Sequence, residues 1–329
     1  MKKTLVALAI ASVSASAFAV ELSSQNSMPA FEFNPMHKDQ FSVSGSWGVG
    51  GYYDTRTEEA YDDWATGLTV AVNYKNNRLL GYLETDLEYN WATDEDVVGW
   101  DNDFVTDVDK AWLGYETDYG VLSFGWENDT ALDKVDGAGD FTYEFGASAG
   151  DASDAFVVTK FQGSTGGFAY GISHFSTSDN KHEADKGYNG YVGLEQETVN
   201  VYVGYEDRLD ADYTVISASG NATFGALKVG ANFWIDSDDS ANTDKEETGY
   251  YVTTAYSVSE AFTLAAGYAW ETIEEDNMSD KDASYFNVAA MYDYSDRISM
   301  GIDIKRELDV EDLGLDEETH VFAAAFYSF

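Results

Sequence analysis

The sequence predicts an all-β chain: a transmembrane, antiparallel, up-and-down β-barrel of about sixteen strands. Three observations lead there. Apolar residues recur at every second position in segment after segment, which is the period of a strand. The connections between these segments alternate between tight turns and long acidic loops, the pattern of consecutive hairpins in a meander. No proline follows Pro35, so nothing from residue 36 to the end interrupts backbone pairing.

The elements follow in order. Residues 1–19 read as a secretory signal peptide. Lys2 and Lys3 precede the apolar run Leu5–Val13, and Ala17-Phe18-Ala19 offers a small-x-small cleavage site; the run is too short to span a bilayer. Residues 20–39 contain Pro29 and Pro35 and read as an N-terminal leader. The barrel should occupy 40–329. Its first strand has Phe41, Val43, Gly45, Trp47 and Val49 on one face, followed by Leu68, Val70, Val72 and Tyr74. Leu83, Leu87 and Tyr89 then alternate with Glu84, Asp86 and Glu88. The same scheme returns at Val199–Tyr205, Leu227–Ile235, Phe262–Trp270, Phe286–Tyr292 and Ile298–Ile304. Tight turns fall at 76–78, 118–120, 163–167, 196–198, 223–226, 258–261 and 295–297. Long loops fall at 54–66, 92–104, 177–186, 207–212, 236–248, 272–283 and 306–318. The last strand ends HVFAAAFYSF, with Val321, Ala323, Ala325, Tyr327 and Phe329 on one face, and should close on the first strand.

A soluble antiparallel sandwich also alternates, with its apolar face inward. The opposite face decides between the two. It carries Glu84, Asp86, Glu88, Asn200, Glu206, Asn232, Asn287, Asp293 and Asp303. Sixteen strands closed as one sheet enclose a lumen that side chains cannot fill. A polar interior with an apolar exterior therefore fits a membrane, where a closed sheet leaves no backbone group unpaired. Tyr53, Tyr74, Trp91, Tyr205, Trp270, Tyr292 and Tyr294, near strand ends, suit interfacial aromatic girdles. The chain has no cysteine, which excludes disulfides and thiolate metal sites. It carries 18 Lys+Arg and 60 Asp+Glu; removing Lys2 and Lys3 with the signal leaves 16 basic residues and a net charge of −44.

These features resemble the general, sixteen-stranded, trimeric porins of the Gram-negative outer membrane. The likeness covers the chain after the signal peptide. It implies long outer loops, short periplasmic turns, a homotrimer among outer-membrane lipids and lipopolysaccharide, and an assembly machinery that reads the terminal aromatic strand, here Tyr327 and Phe329. Segment 127–156 is the longest stretch without alternation, and in the family the loop here folds into the barrel and narrows it. Tyr143-Glu144-Phe145-Gly146 resembles the family's Pro-Glu-Phe-Gly signature, which would put Asp140, Tyr143 and Glu144 at the constriction. An ordinary surface loop, given its Gly and Ala content, stays open as the alternative.

The chain departs from the family at the arginines that face this loop. Asp109 in Asp109-Lys110-Ala111-Trp112-Leu113-Gly114 stands at one arginine's place, and Trp126 after Phe124-Gly125 at another. The five arginines, Arg56, Arg78, Arg208, Arg297 and Arg306, all fall in loops or turns of the strand map. The expected pore wall is Glu84, Asp86, Asp107, Asp109, Trp126, Lys160 and Asp303, with Lys110 joining it if the register shifts by one.

The resemblance implies a water-filled channel for passive diffusion of ions and small hydrophilic solutes. An acidic wall attracts cations, so cation selectivity is expected. A sugar-selective channel using Trp126, Trp234 and Tyr143, and a non-conducting structural or adhesive barrel, are the alternatives. An enzyme is not expected: His37, His174, His182 and His320 lack convincing serine partners, and no HExxH, phosphate-loop or dinucleotide motif occurs. No cofactor and no nucleic-acid partner are implied. No metal site is assigned: the acidic run from Asp236 to Ser240 has Ala241 where a calcium loop needs glycine. Whether the acidic loops hold divalent cations stays open.

Overall fold

The structure is a computed structural model. It describes residues 31–32, 39–99, 102–126, 129–150, 155, 157–176, 186–209, 211–239, 244–275 and 278–329. The expected signal peptide, the leader apart from residues 31–32 and 39, and the ends of segment 127–156 lie outside the described residues.

Sixteen antiparallel strands close one sheet. They are β1 (Asp39–Asp54), β2 (Gly67–Asn76), β3 (Leu79–Ala92), β4 (Asp103–Glu116), β5 (Val121–Trp126), β6 (Val157–Thr165), β7 (Phe168–Ser176) and β8 (Lys186–Glu195). Then come β9 (Val199–Arg208), β10 (Tyr213–Phe224), β11 (Leu227–Asp238), β12 (Lys245–Ser257), β13 (Phe262–Glu275), β14 (Lys281–Ser295), β15 (Ile298–Asp309) and β16 (Thr319–Ser328). Each pairs with the next, and β16 pairs with β1 from His320↔Asp54 to Ser328↔Ser46. A short strand, Phe31–Glu32, pairs with the start of β1, and Glu59–Asp62 extends β2 toward the loop end.

The alternation places the faces as expected. Val43, Trp47, Val49, Leu83, Leu87, Val201, Val203, Leu264, Val288 and Ile302 are exposed on the outside. Glu84, Glu206, Asn232, Asn287 and Asp303 are buried on the inside. The turn chemistry agrees: the two-residue link Gly166-Gly167 between β6 and β7 has φ 61° and 82°, as a type I′ hairpin requires. At the closing seam, inward Phe326 lies over Gly48, where an added Cβ would meet its ring at 2.6 Å. The last residue is paired into the sheet, with Phe329 N donating to Gly45 O (3.0 Å) and Gly45 N to Phe329 O (3.1 Å).

Two irregularities shape the interior. Between Glu84↔Lys110 and Asp86↔Asp107 the β3–β4 register slips by one, a β-bulge at Val108-Asp109. Residues 63–66 leave the sheet between Asp62 and β2 and bend inward. The Asp62 carboxylate accepts from Ala65 N (2.9 Å) and Thr66 N (2.6 Å), holding that bend. It delivers Trp64 onto Phe322 and Phe326, with ring centroids 5.3 and 5.9 Å away. The apolar alternation assigns every arginine to loops or turns; Arg208 instead ends β9 and Arg306 lies in β15, because these strands run past the alternation into polar sequence.

Candidate functional site

Residues 129–150 of segment 127–156 do not stand outside the barrel. They run across the inner face of β7–β15, with residue after residue bonded to the wall. Ala131 N donates to Ser173 Oγ (3.0 Å), and Asn189 Nδ2 donates to Thr130 Oγ1 (2.7 Å). Asn221 Nδ2 reaches Ala138 O (2.7 Å), Asn232 Nδ2 reaches Ala147 O (2.9 Å), and Thr253 Oγ1 reaches Gly139 O (2.9 Å). At the tip, Asp303 Oδ2 accepts from Tyr143 N (3.1 Å), Glu144 N (2.9 Å) and Phe145 N (3.2 Å), and Tyr285 Oη donates to Phe145 O (3.0 Å). On the way back, Gly150 N donates to Asp236 Oδ2 and its carbonyl accepts from Arg208 Nη2, each at 2.7 Å. A loop must satisfy its backbone polar groups, and here inward side chains from seven strands do so.

Packing reinforces the docking. Leu132 and Val135 are buried with Tyr191, Tyr202, Trp234 and Tyr251. Gly204 leaves the space that Leu132 fills: a Cβ there would meet Leu132 Cδ1 at 2.1 Å. Gly301 does the same for the Tyr143 ring, at 2.6 Å. Desolvation lifts the Asp136 carboxyl well above the ordinary carboxylate range, and nearby Asp133 adds to it. Desolvation also raises Asp140, against which its bonds from Thr142 N and Oγ1 (both 2.8 Å) act.

The expected site residues divide accordingly. Asp140, Tyr143 and Glu144 lie on the inward loop. Glu144 accepts a hydrogen bond from Tyr52 Oη, which in turn accepts from Trp64 Nε1 (2.7 Å). Asp303 is on the inner wall but fully covered, so it anchors the loop rather than lining water. Trp126 shares its face with exposed Leu122 and Phe124, and so points outward; the place taken from the family's arginine does not survive the strand's parity. Trp234 and Tyr143 are buried under or within the docked loop, so neither ring offers a free stacking face. Lys160 lies on the inner face, in register with buried Ser123 and Ser173.

Glu84, Asp86 and Glu88 on β3 face inward, with Asp107 across from Asp86. The bulge turns Asp109 inward too, so its carboxylate comes within 4.8 Å of those of Glu84 and Asp86. Lys110 is also inward and bonds Asp129 of the loop at 2.7 Å. Sequence reasoning missed Tyr52, Trp64 and Arg208 as loop-facing groups. Asp62, spaced to receive the N–H groups of residues 64–66, was the available signal for the Trp64 bend.

Of the histidines, His320 is held between two carboxylates, Nδ1 2.6 Å from Asp54 Oδ1 and Nε2 3.3 Å from Glu307 Oε1. Neither ring nitrogen is left to activate a serine. His174 stacks edge-on against Tyr188, and His37 and His182 lie outside the described residues.

A closed sixteen-stranded barrel with an apolar exterior and a loop folded against its inner wall defines an outer-membrane channel. The family model for Gram-negative porins matches residues 4–310, and the chain belongs to that family. Solved structures agree in fold. The trimer form of OmpT from Vibrio cholerae is 16% identical, with TM-score 0.67, covering 88% of this chain and 99% of its own. OmpF of Salmonella typhi, in complex with daunomycin, is 14% identical, with TM-score 0.67 and 90% and 99% covered. An anion-selective porin from Comamonas acidovorans is 11% identical, with TM-score 0.66 and 88% and 100% covered.

Proposed function

We propose that this outer-membrane channel passes ions and small hydrophilic solutes by passive diffusion and prefers cations. The carrying observation is the inner wall that the loop leaves uncovered. Exposed Asp107 and half-buried Glu88 and Asp109 gather there beside buried Glu84 and Asp86, and Lys110 among them is paired with Asp129. A concentration of carboxylates on one side of a water-filled passage lowers the energy of a cation and raises that of an anion. The fold does not set the sign, since an anion-selective porin shares it; the wall charge does. The same reading makes Asp140, Tyr143 and Glu144 the constriction and Lys160 a lesser positive contribution to the wall. It also makes Tyr327 and Phe329 the strand end read during assembly, and places the signal peptide at residues 1–19.

A homotrimer among outer-membrane lipids and lipopolysaccharide completes the proposal, supported by the trimer form of a protein of the same fold. The channel is proposed to have no catalytic activity, and an esterase assay on detergent-solubilised protein checks this. The sugar-selective alternative loses its support with Trp126 outward and Trp234 and Tyr143 covered.

Reversal potentials across a salt gradient in planar bilayers test the ion preference. A potential of cation-selective sign is expected. A zero or anion-selective potential rejects the preference while leaving the channel, and absence of conductance rejects the channel.

A further inference from the structure

We propose that Glu84, Asp86 and Asp109 form a binding site for a divalent cation of calcium's size on the inner wall of β3 and β4. One carboxylate oxygen from each residue lies within 4.8 Å of the others. Calcium binds carboxylate oxygens at about 2.3–2.6 Å, so ligands on opposite sides of one ion stand about 4.6–5.2 Å apart. The three groups are close enough together for one ion to bridge them all.

The second observation is independent of that spacing. Glu84 and Asp86 are 2% and 8% exposed, and Glu84 Oε1 and Asp86 Oδ1 receive no hydrogen bond. Buried carboxylate oxygens without a donor are costly, the more so beside a third carboxylate. The remaining Glu84 oxygen accepts from Tyr82 Oη, which fixes the side chain and leaves Oε1 turned away from that bond. Lys110, opposite Glu84 in register, would be the natural counter-ion, but its ammonium is bonded to Asp129 of the inward loop. A cavity of about 30 Å³ adjoins the site, lined by Glu84, Asp86, Glu88 and Thr69 among others. It has room for ordered water, which calcium needs because three carboxylates do not fill its six to eight positions. The site stands whatever ion the channel prefers.

The test uses the full-length chain. Crystals grown without divalent ions are soaked in terbium chloride, a calcium surrogate with strong anomalous scattering. A peak bonded to Glu84, Asp86 and Asp109 is expected, and soaking with excess calcium chloride should remove it. In detergent solution, terbium titration should count one ion fewer per chain in the variant Glu84→Gln/Asp86→Asn than in the unaltered protein, the ions on outer loops being retained. Peaks on the acidic loops with none at the three carboxylates overturn the site, as does an unchanged count in the folded variant. If the variant does not fold, the anomalous map of the unaltered protein decides alone. Reversal potentials recorded without divalent ions judge the channel's preference separately.

Discussion

The two halves of the inner wall differ in what their acids do. On the half spanning β7–β15, inward Asp236 and Asp303 accept backbone N–H groups of the docked loop. On β3 and β4, inward Glu84, Asp86 and Asp109 converge on one another, and two of their buried oxygens accept nothing. On both halves the groups are carboxylates on the inner face of barrel strands. The partner differs: where a loop presents donors, a carboxylate becomes an anchor, and where none arrives its oxygens are left facing other carboxylates. Wall charge in this channel therefore cannot be counted from inward acids alone.

The anchored half should break most visibly at Asp303. Asp303→Ala leaves three loop N–H groups without their acceptor, and bonds to a charged group are each worth about 1.5–3 kcal/mol. The loop tip should leave the wall, seen as raised or unsteady single-channel current and as new protease cleavage within residues 140–150. Asp303→Asn, which keeps an acceptor oxygen, should lose less. A smaller effect is expected at Gly301, where the Tyr143 ring sits against the backbone. Gly301→Val drives the ring off at a cost of about 1–3 kcal/mol, typical of overpacking. Conductance should change in the same direction as in Asp303→Ala, by less.

The open half should respond in selectivity rather than in loop position. Asp107→Asn, which removes no hydrogen bond to the described loop residues, is expected to lower the cation-over-anion permeability ratio modestly while conductance noise and protease resistance stay unchanged. On the outer face, Val203→Arg should leave selectivity alone and weaken membrane folding. An arginine near the bilayer midplane of a barrel costs about 2–4 kcal/mol, readable from urea unfolding in vesicles.

The strands and faces were legible in the sequence because period-two alternation is local and the hairpin ends are marked. The inward segment was legible from its lack of alternation and from Tyr143-Glu144-Phe145-Gly146. What stayed hidden was long-range. Nothing around Asp303 reveals that a loop 160 positions earlier will cover it. The bulge at Val108-Asp109 has no glycine to announce it, so Asp109 and Lys110 read as opposite faces when both turn inward. Trp126 was placed by likeness to a family position, and the strand's own parity with Leu122 and Phe124 outweighs that likeness. Arg208 reads as a loop residue because Glu206, Asp207 and Arg208 look like solvent-exposed sequence; the structure bonds its guanidinium to Glu206 and Gly150.

Because the chain has no cysteine of its own, single cysteines can map the two halves directly. Ser44→Cys and Asp107→Cys sit on the uncovered wall, Asn232→Cys and Asn287→Cys beneath the loop. A water-soluble thiol reagent added during bilayer recording should reduce current through the first pair and leave the second pair unchanged. Equal block at all four positions, or block confined to Asn232→Cys and Asn287→Cys, would contradict the division of the wall on which the account depends.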